Sequence, residues 1–279
     1  MVFIIAEIGT NHLGDVKIAR RIIDVAANAG CDAVKFQKRD VEKIYNKFFL
    51  DSTLDSPWGT TQREMRTHIE FSDKQFREID SYCKNLKIPW FVSCWDNDSQ
   101  IAMRKFKTKY NKIASAMLTH EKLLEIVAEE KKHTFISTGM STMREISKAV
   151  SVFRDYKCPF ELMHSHSAYP MPIEEANLKV IKTLSKRFNC KVGYSGHETE
   201  PYLACVLAVA LGASSIERHI TLDRSMYGSD QAASLEPDDF KRMVRDVRNI
   251  DVIFGTGKKV IFAPKPSTKK RLYQIISYR

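Results

Sequence analysis

Two short apolar runs in this chain each end in a histidine: Val192-Gly193-Tyr194-Ser195-Gly196-His197 and Ser215-Ile216-Glu217-Arg218-His219-Ile220-Thr221. A buried parallel strand reads this way when its C-terminal end opens into a site. Imidazoles on two successive strand ends could converge on one divalent metal. The plainer alternative is a pair of hydrogen-bonded histidines at a rim. Two lysines raise a similar question. Lys35 sits in Ala33-Val34-Lys35-Phe36-Gln37, and Lys112 opens Lys112-Ile113-Ala114-Ser115. An ammonium in an apolar strand needs an anion, either a ligand or an internal partner such as Glu7 or Glu217. Ser115 and Ser195 put hydroxyls where an apolar strand does not need them, as ligand contacts or satisfied core hydroxyls. The turn Ser137-Thr138-Gly139 ahead of a helix is a phosphate seat of a common kind. His164 and His166 form an H-x-H pair, which would suit a metal-dependent hydrolase. Hydrolase barrels carry that pair on the first strand, however, and here it falls on the sixth.

These groups need a frame that brings strand ends together. An apolar run over residues 3–8 closes in Gly9-Thr10-Asn11-His12. Residues 15–29 follow with apolar side chains at helical spacing and stop at Gly30. With the strand at residues 33–37 this makes a strand–helix–strand unit and implies a parallel sheet. The alternation continues to an eighth strand at residues 214–221 and a last helix from Pro237 to about Ile250. Ser72, Ser141 with Glu145, and Pro201 mark intermediate helix starts. Eight such units predict a single-domain (β/α)8 TIM barrel in the α/β class. An open doubly wound sheet is disfavoured, because no glycine-rich fingerprint follows the first strand. In a barrel the site lies at the C-terminal strand ends. Those ends would gather Glu7, Asn11, His12, Lys35, Gln37, Ser93, Asp96, Lys112, Ser115, Ser137, Thr138, His164, His166, Tyr169, Ser195, His197, Glu217 and His219. Residues 38–70, long and polar and holding Asp55-Ser56-Pro57-Trp58-Gly59, break the rhythm and read as a loop that acts as a lid.

Composition narrows the function classes. At 279 residues and 43% hydrophobic, the chain can bury a sizeable core. No apolar run reaches membrane-spanning length. The opening Met1-Val2-Phe3-Ile4-Ile5-Ala6 meets Glu7 at once and reads as a strand, which leads us to expect a cytoplasmic protein with reduced thiols. The six cysteines are scattered without a C-x-x-C pair, which argues against a zinc knuckle. The net charge of +10 would suit nucleic acid, an anionic membrane surface or an anionic small substrate. Much of it lies in Lys105-Phe106-Lys107-Thr108-Lys109 and in residues 265–279. With no recognition-helix motif, nucleic acid is not favoured as a partner.

The motifs Ile5-Ala6-Glu7-Ile8-Gly9-Thr10-Asn11-His12, Val34-Lys35-Phe36-Gln37, Lys112-Ile113-Ala114-Ser115, Ile136-Ser137-Thr138-Gly139-Met140, Tyr169-Pro170, Gly193-Tyr194-Ser195-Gly196-His197 and Glu217-Arg218-His219, in that order, closely resemble the N-acetylneuraminate (sialic acid) synthase family. The resemblance implies condensation of phosphoenolpyruvate with an open-chain sugar aldehyde, giving a 3-deoxy-2-keto sugar acid and phosphate. It also implies a divalent metal, Mn2+ or Mg2+, held by His197 and His219, and a homodimer. Lys35, Lys112, Ser115, Ser137, Ser195 and Tyr169 would hold phosphoenolpyruvate, and Gln37 and Ser167 complete the expected substrate-binding set. Glu7 and Asp230 would face the sugar, and the catalytic set would be Glu7, Lys35, Lys112, His197 and His219. The chain departs from the family pattern in four places. Met117 and Gly196 stand where acidic residues are usual, Ser167 where an asparagine is, and Ser93-Cys94-Trp95-Asp96 replaces S-T-P-F. The expected division is a catalytic barrel over residues 1–259 and a basic segment over 260–279, which resembles the linker to a C-terminal antifreeze-like domain.

Overall fold

Along each apolar run every second side chain turns the same way, and the protein uses this alternation to build a ring. The structure, a computed structural model, describes residues 1–199 and 202–259. Ten strands lie among them: β1 (Phe3–Gly9), β2 (Ala33–Lys38), β3 (Thr53–Ser56), β4 (Gly59–Thr61), β5 (Trp90–Cys94), β6 (Tyr110–Ile113), β7 (His133–Ser137), β8 (Phe160–Ser165), β9 (Val192–Gly196) and β10 (Ser215–His219). Eight form a closed parallel barrel in the order β1-β10-β9-β8-β7-β6-β5-β2, as a (β/α)8 TIM barrel requires. Helices follow the strands and pack their apolar stripes on the outside of the ring. The main core fills that layer, with Ile4, Ala6, Ile8, Val34, Phe36 and Ile216 facing outward from the strands. The alternate residues Ile5, Ala33, Phe91, Phe135 and Met163 form a separate apolar floor inside the ring. Directly above that floor, the same inward phase places Glu7, Lys35, Ser93, Lys112, Ser137, Ser195 and Glu217.

Local chemistry accounts for most element ends. The Asp15 side chain accepts from the Lys17 amide at the start of Val16–Ala29, and Gly30 ends that helix with φ +85°. Ser72 and Gln75 form a capping box on Asp73–Leu86. The helix Met143–Asp155 is capped by Thr142 with Glu145, not by Ser141, because the Thr142 hydroxyl is the one in reach of the Glu145 amide. The sequence from Glu174 onward also has a helical pattern, but residues 173–175 make only a tight 3-10 turn and the helix runs Val180–Phe188. Pro237–Phe254 opens with proline, Asp238 and Asp239, and runs one turn past Ile250. Pro201 and residues 260–279, including the expected linker segment, lie outside the described residues.

Residues 38–70, expected as a loop that acts as a lid, are a structured insertion. They hold the short helices Val41–Ile44 and Lys47–Leu50, the antiparallel hairpin of β3 and β4, and the helix Gln62–Ile69. Thr61 and Glu64 cap that last helix reciprocally. Among the described residues, no helix is long and apolar enough to cross a membrane.

Candidate active site

The in-register pairing of the strands stacks the polar groups into one layer. Glu7 pairs with both Lys35 and His219 across the ladder, and Glu217 pairs with Ser195. Ser93 pairs with Lys112. A pocket of about 160 Å³ opens above them. Its walls include Glu7, Lys35, Gln37, Lys112, Ser115, Ser137, Ser167, Tyr169, Ser195, His197 and His219. Every site residue expected from the sequence except Asp230 therefore meets in one cavity.

Two lysines and two glutamates form its base. Lys35 Nζ lies 2.9 Å from Glu7 Oε2 and 3.5 Å from Glu217 Oε1. Lys112 Nζ donates to both Glu217 oxygens, at 2.7 and 2.8 Å. Ser195 Oγ donates to Glu217 Oε1 at 3.2 Å, and Gln37 Nε2 to Glu7 Oε1 at 2.9 Å. The internal partner foreseen for these lysines is thus present, and they also line the pocket. Lys112 is held down to about 8, first by burial and then by the neighbouring Lys35 charge, against the pull of Glu217. Burial would lower Lys35 as well, but Glu217 and Glu7 outweigh it and the net shift is upward. Glu217 is pulled down to about 2: burial opposes ionisation, and the Lys112 and Lys35 charges more than offset it.

The hydroxyls cluster at the end of β7. The Gly139 amide donates to Ser115 Oγ at 3.2 Å and to Ser165 Oγ at 3.1 Å. A Cβ built on Gly139 would come within 2.5 Å of Ser167 Oγ and 2.8 Å of Ser115 Oγ, so only glycine leaves this nook open. The neighbouring Thr138 is spent on structure, its hydroxyl donating to the Met163 carbonyl.

His197 and His219 stand side by side with ring centres 5.6 Å apart, and Tyr169 stacks on His197 at 4.0 Å. His197 Nδ1 faces the His166 carbonyl, which can only accept, so Nδ1 carries the proton and Nε2 keeps its lone pair. Burial, and then the adjacent His219, hold the His197 ring neutral well below the usual imidazole range. His219 Nδ1 is buried without a hydrogen-bond partner among the described residues and lies 3.8 Å from Asp230 Oδ2. A neutral imidazole and an orphaned ring nitrogen make a two-donor set. No group of three or more His, Cys, Asp or Glu side chains arranged for a metal occurs among the described residues. The pair therefore suits an ion that takes its other ligands from water or substrate.

Several other strand-end residues serve the scaffold. Asn11 donates to the Ile220 carbonyl and to Ser234 Oγ. His12 stacks on Phe71 at 3.8 Å and is pushed down to about 3 by burial and by Arg39. Asp96 caps the helix Asn97–Met103. The His164 and His166 rings are both engaged by protein partners. His164 bonds to the Ala176 carbonyl at 2.8 Å, His166 pairs with Glu175 at 2.9 Å, and neither ring lines the pocket. β8 ends at Ser165, so the two-residue spacing no longer keeps both rings on one strand face.

Three departures from the family pattern find physical reasons. Gly196 leaves no room for a side chain, because a Cβ there would meet Glu198 Oε2 at 2.5 Å. Met117 packs against the main core. Trp95 lines the pocket and lies 5.0 Å under the Arg39 guanidinium. Glu217 is the residue that sequence reasoning undervalued as part of the site. It stands among the expected strand-end residues and as a partner for the lysines but outside the expected catalytic and binding sets, and the strand phase it shares with His219 was the available signal.

A second cavity, of about 650 Å³, adjoins the first and shares Gln37, Trp95 and Tyr169 with it. Asp230 stands in its wall and accepts from Thr10 Oγ1 at 3.4 Å. Leu54, Trp58, Gln62, Met65, Arg66 and Ile69 from the insertion line the opposite side. Trp58 is wedged between His68, ring centres 4.8 Å apart, and Tyr227, whose hydroxyl donates to the Asp55 carbonyl at 3.2 Å. The insertion is thereby tied to the loop after β10.

Comparison with known proteins bears on this arrangement. The profile of the NeuB family matches residues 22–259. The chain is 36% identical over 273 residues to the N-acetylneuraminate-9-phosphate synthase of Mus musculus, covering 97% of this chain and 76% of that protein. It is 33% identical over 265 residues to the N,N'-diacetyllegionaminic acid synthase of Legionella pneumophila, covering 92% of this chain and 74% of that one. Its structure superposes on the crystal structure of the N-acetylneuraminic acid (sialic acid) synthetase of Leptospira borgpetersenii in complex with citrate, with a TM-score of 0.83 and 33% identity, covering 98% of this chain and 90% of that one. A closed barrel, a polar layer at its strand ends and this extent of likeness agree, and the chain belongs to the NeuB family of sialic-acid-type synthases.

Proposed function

We propose that the enzyme joins phosphoenolpyruvate to an open-chain amino sugar or aldose of the N-acetylmannosamine kind, forming a 3-deoxy-2-keto sugar acid and releasing phosphate. The observation that carries this reading is the layer of Lys35, Lys112, Glu7 and Glu217 at the base of a small polar pocket that opens, past His197 and His219, into a larger one. In this reading the small pocket takes phosphoenolpyruvate. Lys35 and Lys112 neutralise its negative groups, and the Ser115, Ser137, Ser167 and Ser195 hydroxyls orient them. The Lys112 ammonium, depressed by burial, is stabilised when an anion arrives. A tight fit between substrate and these groups also keeps bulk water from the reacting carbons.

The enol carbon attacks the sugar aldehyde, water adds to the carbon that bore the phosphate, and the C–O bond to phosphate breaks. Glu7, held between Lys35 and Gln37 and paired with His219 across the ladder, has the role of orienting that water and taking its proton. Asp230, at the junction of the two cavities, accepts hydrogen bonds from the sugar hydroxyls. A divalent ion, Mn2+ or Mg2+, held by His197 and His219 would supply Lewis acidity at the aldehyde oxygen. The same reading makes the enzyme a cytoplasmic homodimer; all six cysteines carry free thiols, as a reducing compartment allows. The test is incubation with phosphoenolpyruvate, Mn2+ and a panel of aldoses while phosphate release and the keto acid are followed together. Phosphate release that needs both an aldose and the metal supports the reading. Absence of keto acid across the panel, with phosphoenolpyruvate recovered intact, would sink it.

A further inference from the structure

The H-x-H pair of His164 and His166 takes no part in the proposed chemistry, yet both rings reach forward to the same short stretch of chain. His164 Nε2 meets the Ala176 carbonyl at 2.8 Å, and His166 Nε2 lies 2.9 Å from Glu175 Oε2. Residues 166–176 are thereby drawn into a loop that closes on itself just past the end of β8. Met171 and Ala176 anchor it by burial, while Tyr169, Pro170 and residues 172–175 stand exposed.

The loop grips His197 from several sides. The His166 carbonyl accepts from His197 Nδ1. The Met171 amide donates to the His197 carbonyl at 2.9 Å, and Met171 makes a parallel bridge with Glu198. The Tyr169 ring stacks on the imidazole with centres 4.0 Å apart. The aim of the His197 ring therefore depends on where the main chain at residue 166 sits. The His166 side chain sets that place, because both of its nitrogens are engaged. The Ala168 amide donates to Nδ1 at 3.2 Å, so the ring proton sits on Nε2 and faces Glu175. Neither His166 nor Glu175 stands in the wall of either cavity. Their side chains are 37% and 50% exposed, and an ion pair so open to water adds little to stability. What the contact fixes is the direction of a carbonyl.

Building on the reading that His197 and His219 hold the divalent ion, we propose that His166 and Glu175 are positioning residues for His197. Their contact latches the loop, and the latched His166 carbonyl holds the His197 ring in one tautomer and one orientation, with Nε2 kept free for the ion. A ligating imidazole is oriented by the acceptor that its other nitrogen meets, and loss of such an outer partner weakens metal binding by about 10- to 100-fold. A main-chain carbonyl can do this only while its peptide is held in place. In this exposed loop the latch holds it.

The experiment measures Mn2+ affinity, from the electron paramagnetic resonance signal of the free ion, in wild type, Glu175→Ala, Glu175→Gln and His166→Ala. The two alanine variants are expected to bind the ion about tenfold or more weakly, with the thermal transition kept. Glu175→Gln loses the same charge as Glu175→Ala but keeps an acceptor for His166 Nε2, and should stay within about threefold of wild type. Wild-type affinity in either folded alanine variant overturns the proposal. Equal weakening in Glu175→Ala and Glu175→Gln overturns it too, because the carboxylate charge and not the contact would then be what counts. If His166→Ala unfolds, the Glu175 variants carry the same comparison. A second readout needs no metal. Proton–nitrogen correlation spectra of the metal-free protein report the tautomer of each imidazole, and the His197 signals are those missing from His197→Ala. Wild type and Glu175→Gln should show one His197 tautomer, protonated on Nδ1, and the alanine variants a mixture. Weaker Mn2+ binding with that tautomer unchanged overturns the latch, since the loss would not have passed through His197. Failure of the metal reading looks different: the wild type binds no Mn2+, or the His197→Ala/His219→Ala double variant binds it like wild type. The tautomer then decides alone, a mixture in the alanine variants supporting the latch and a single form throughout overturning it.

Discussion

Glu217 receives Lys112, Lys35 and Ser195, and the balance among them sets how the small pocket answers to pH. Lys112 titrates near 8, so it is charged below that pH and neutral above it. An anion bound beside it raises this value. Phosphoenolpyruvate binding at pH 8 should then draw up to about half a proton per site from the buffer. Calorimetry in buffers of different ionisation enthalpy measures that uptake, and Lys112→Met should abolish it. The KM for phosphoenolpyruvate should rise as pH increases through 8, and a flat profile from pH 7 to 9 would show that Lys112 does not meet this substrate. The histidines give a second expectation. His197→Ala and His219→Ala should each lose bound Mn2+ and activity with the thermal transition kept. His164→Ala should retain metal, because that ring is committed to the Ala176 carbonyl. Stoichiometric metal in the His197→Ala/His219→Ala double variant would refute the assignment.

The insertion is the element most open to test. Its hairpin presents Trp58 to the His68 and Tyr227 rings, and its last helix carries Gln62 and Arg66. The capping box of Thr61 and Glu64 fixes where that helix begins, and a cap of this kind contributes about 1 kcal/mol. Replacing residues 51–59 with a short glycine–serine linker removes Trp58 and most of the hairpin. It should raise the KM for the sugar tenfold or more while that for phosphoenolpyruvate changes little, because only the larger cavity uses this wall. Unaltered sugar kinetics would mean that the insertion does not cover the acceptor.

At the scale of the whole molecule, a buried ion pair ties β10 to the segment that leaves β9. Arg218 points outward from β10 and donates to Glu198, both fully buried, and Tyr194 donates to the same carboxylate at 3.0 Å. Breaking such a pair leaves an uncompensated charge, so Arg218→Met should cost about 3–5 kcal/mol in chemical denaturation. Adding Glu198→Gln should recover part of that loss. Equal stability of Arg218→Met and wild type would show that the pair does not hold these two strand ends together.

The sequence by itself determined the repeating strand–helix order and, through the period of two, which residues of each strand share a face. That phase is local, and it was enough to anticipate a parallel barrel and most of the charged and hydroxyl groups that line the pocket. Gly30, Ser72 and Pro237 marked helix ends because capping depends on neighbours within one turn. Only the tertiary structure decided which charges meet. Lys112 and Glu217 are 105 residues apart and become partners through barrel closure. The order within residues 38–70 was hidden for the same reason. Its helices and hairpin are short and polar, and Trp58 at the hairpin packs on the distant Tyr227 as well as on His68, so no internal periodicity announced them. His164 and His166 looked equivalent in sequence, and the end of β8 between them sent the two rings to different partners. Periodicity and capping are carried by near neighbours and can be read along the chain, whereas ion pairing, burial and cavity walls depend on distant segments and exist only once the barrel has closed.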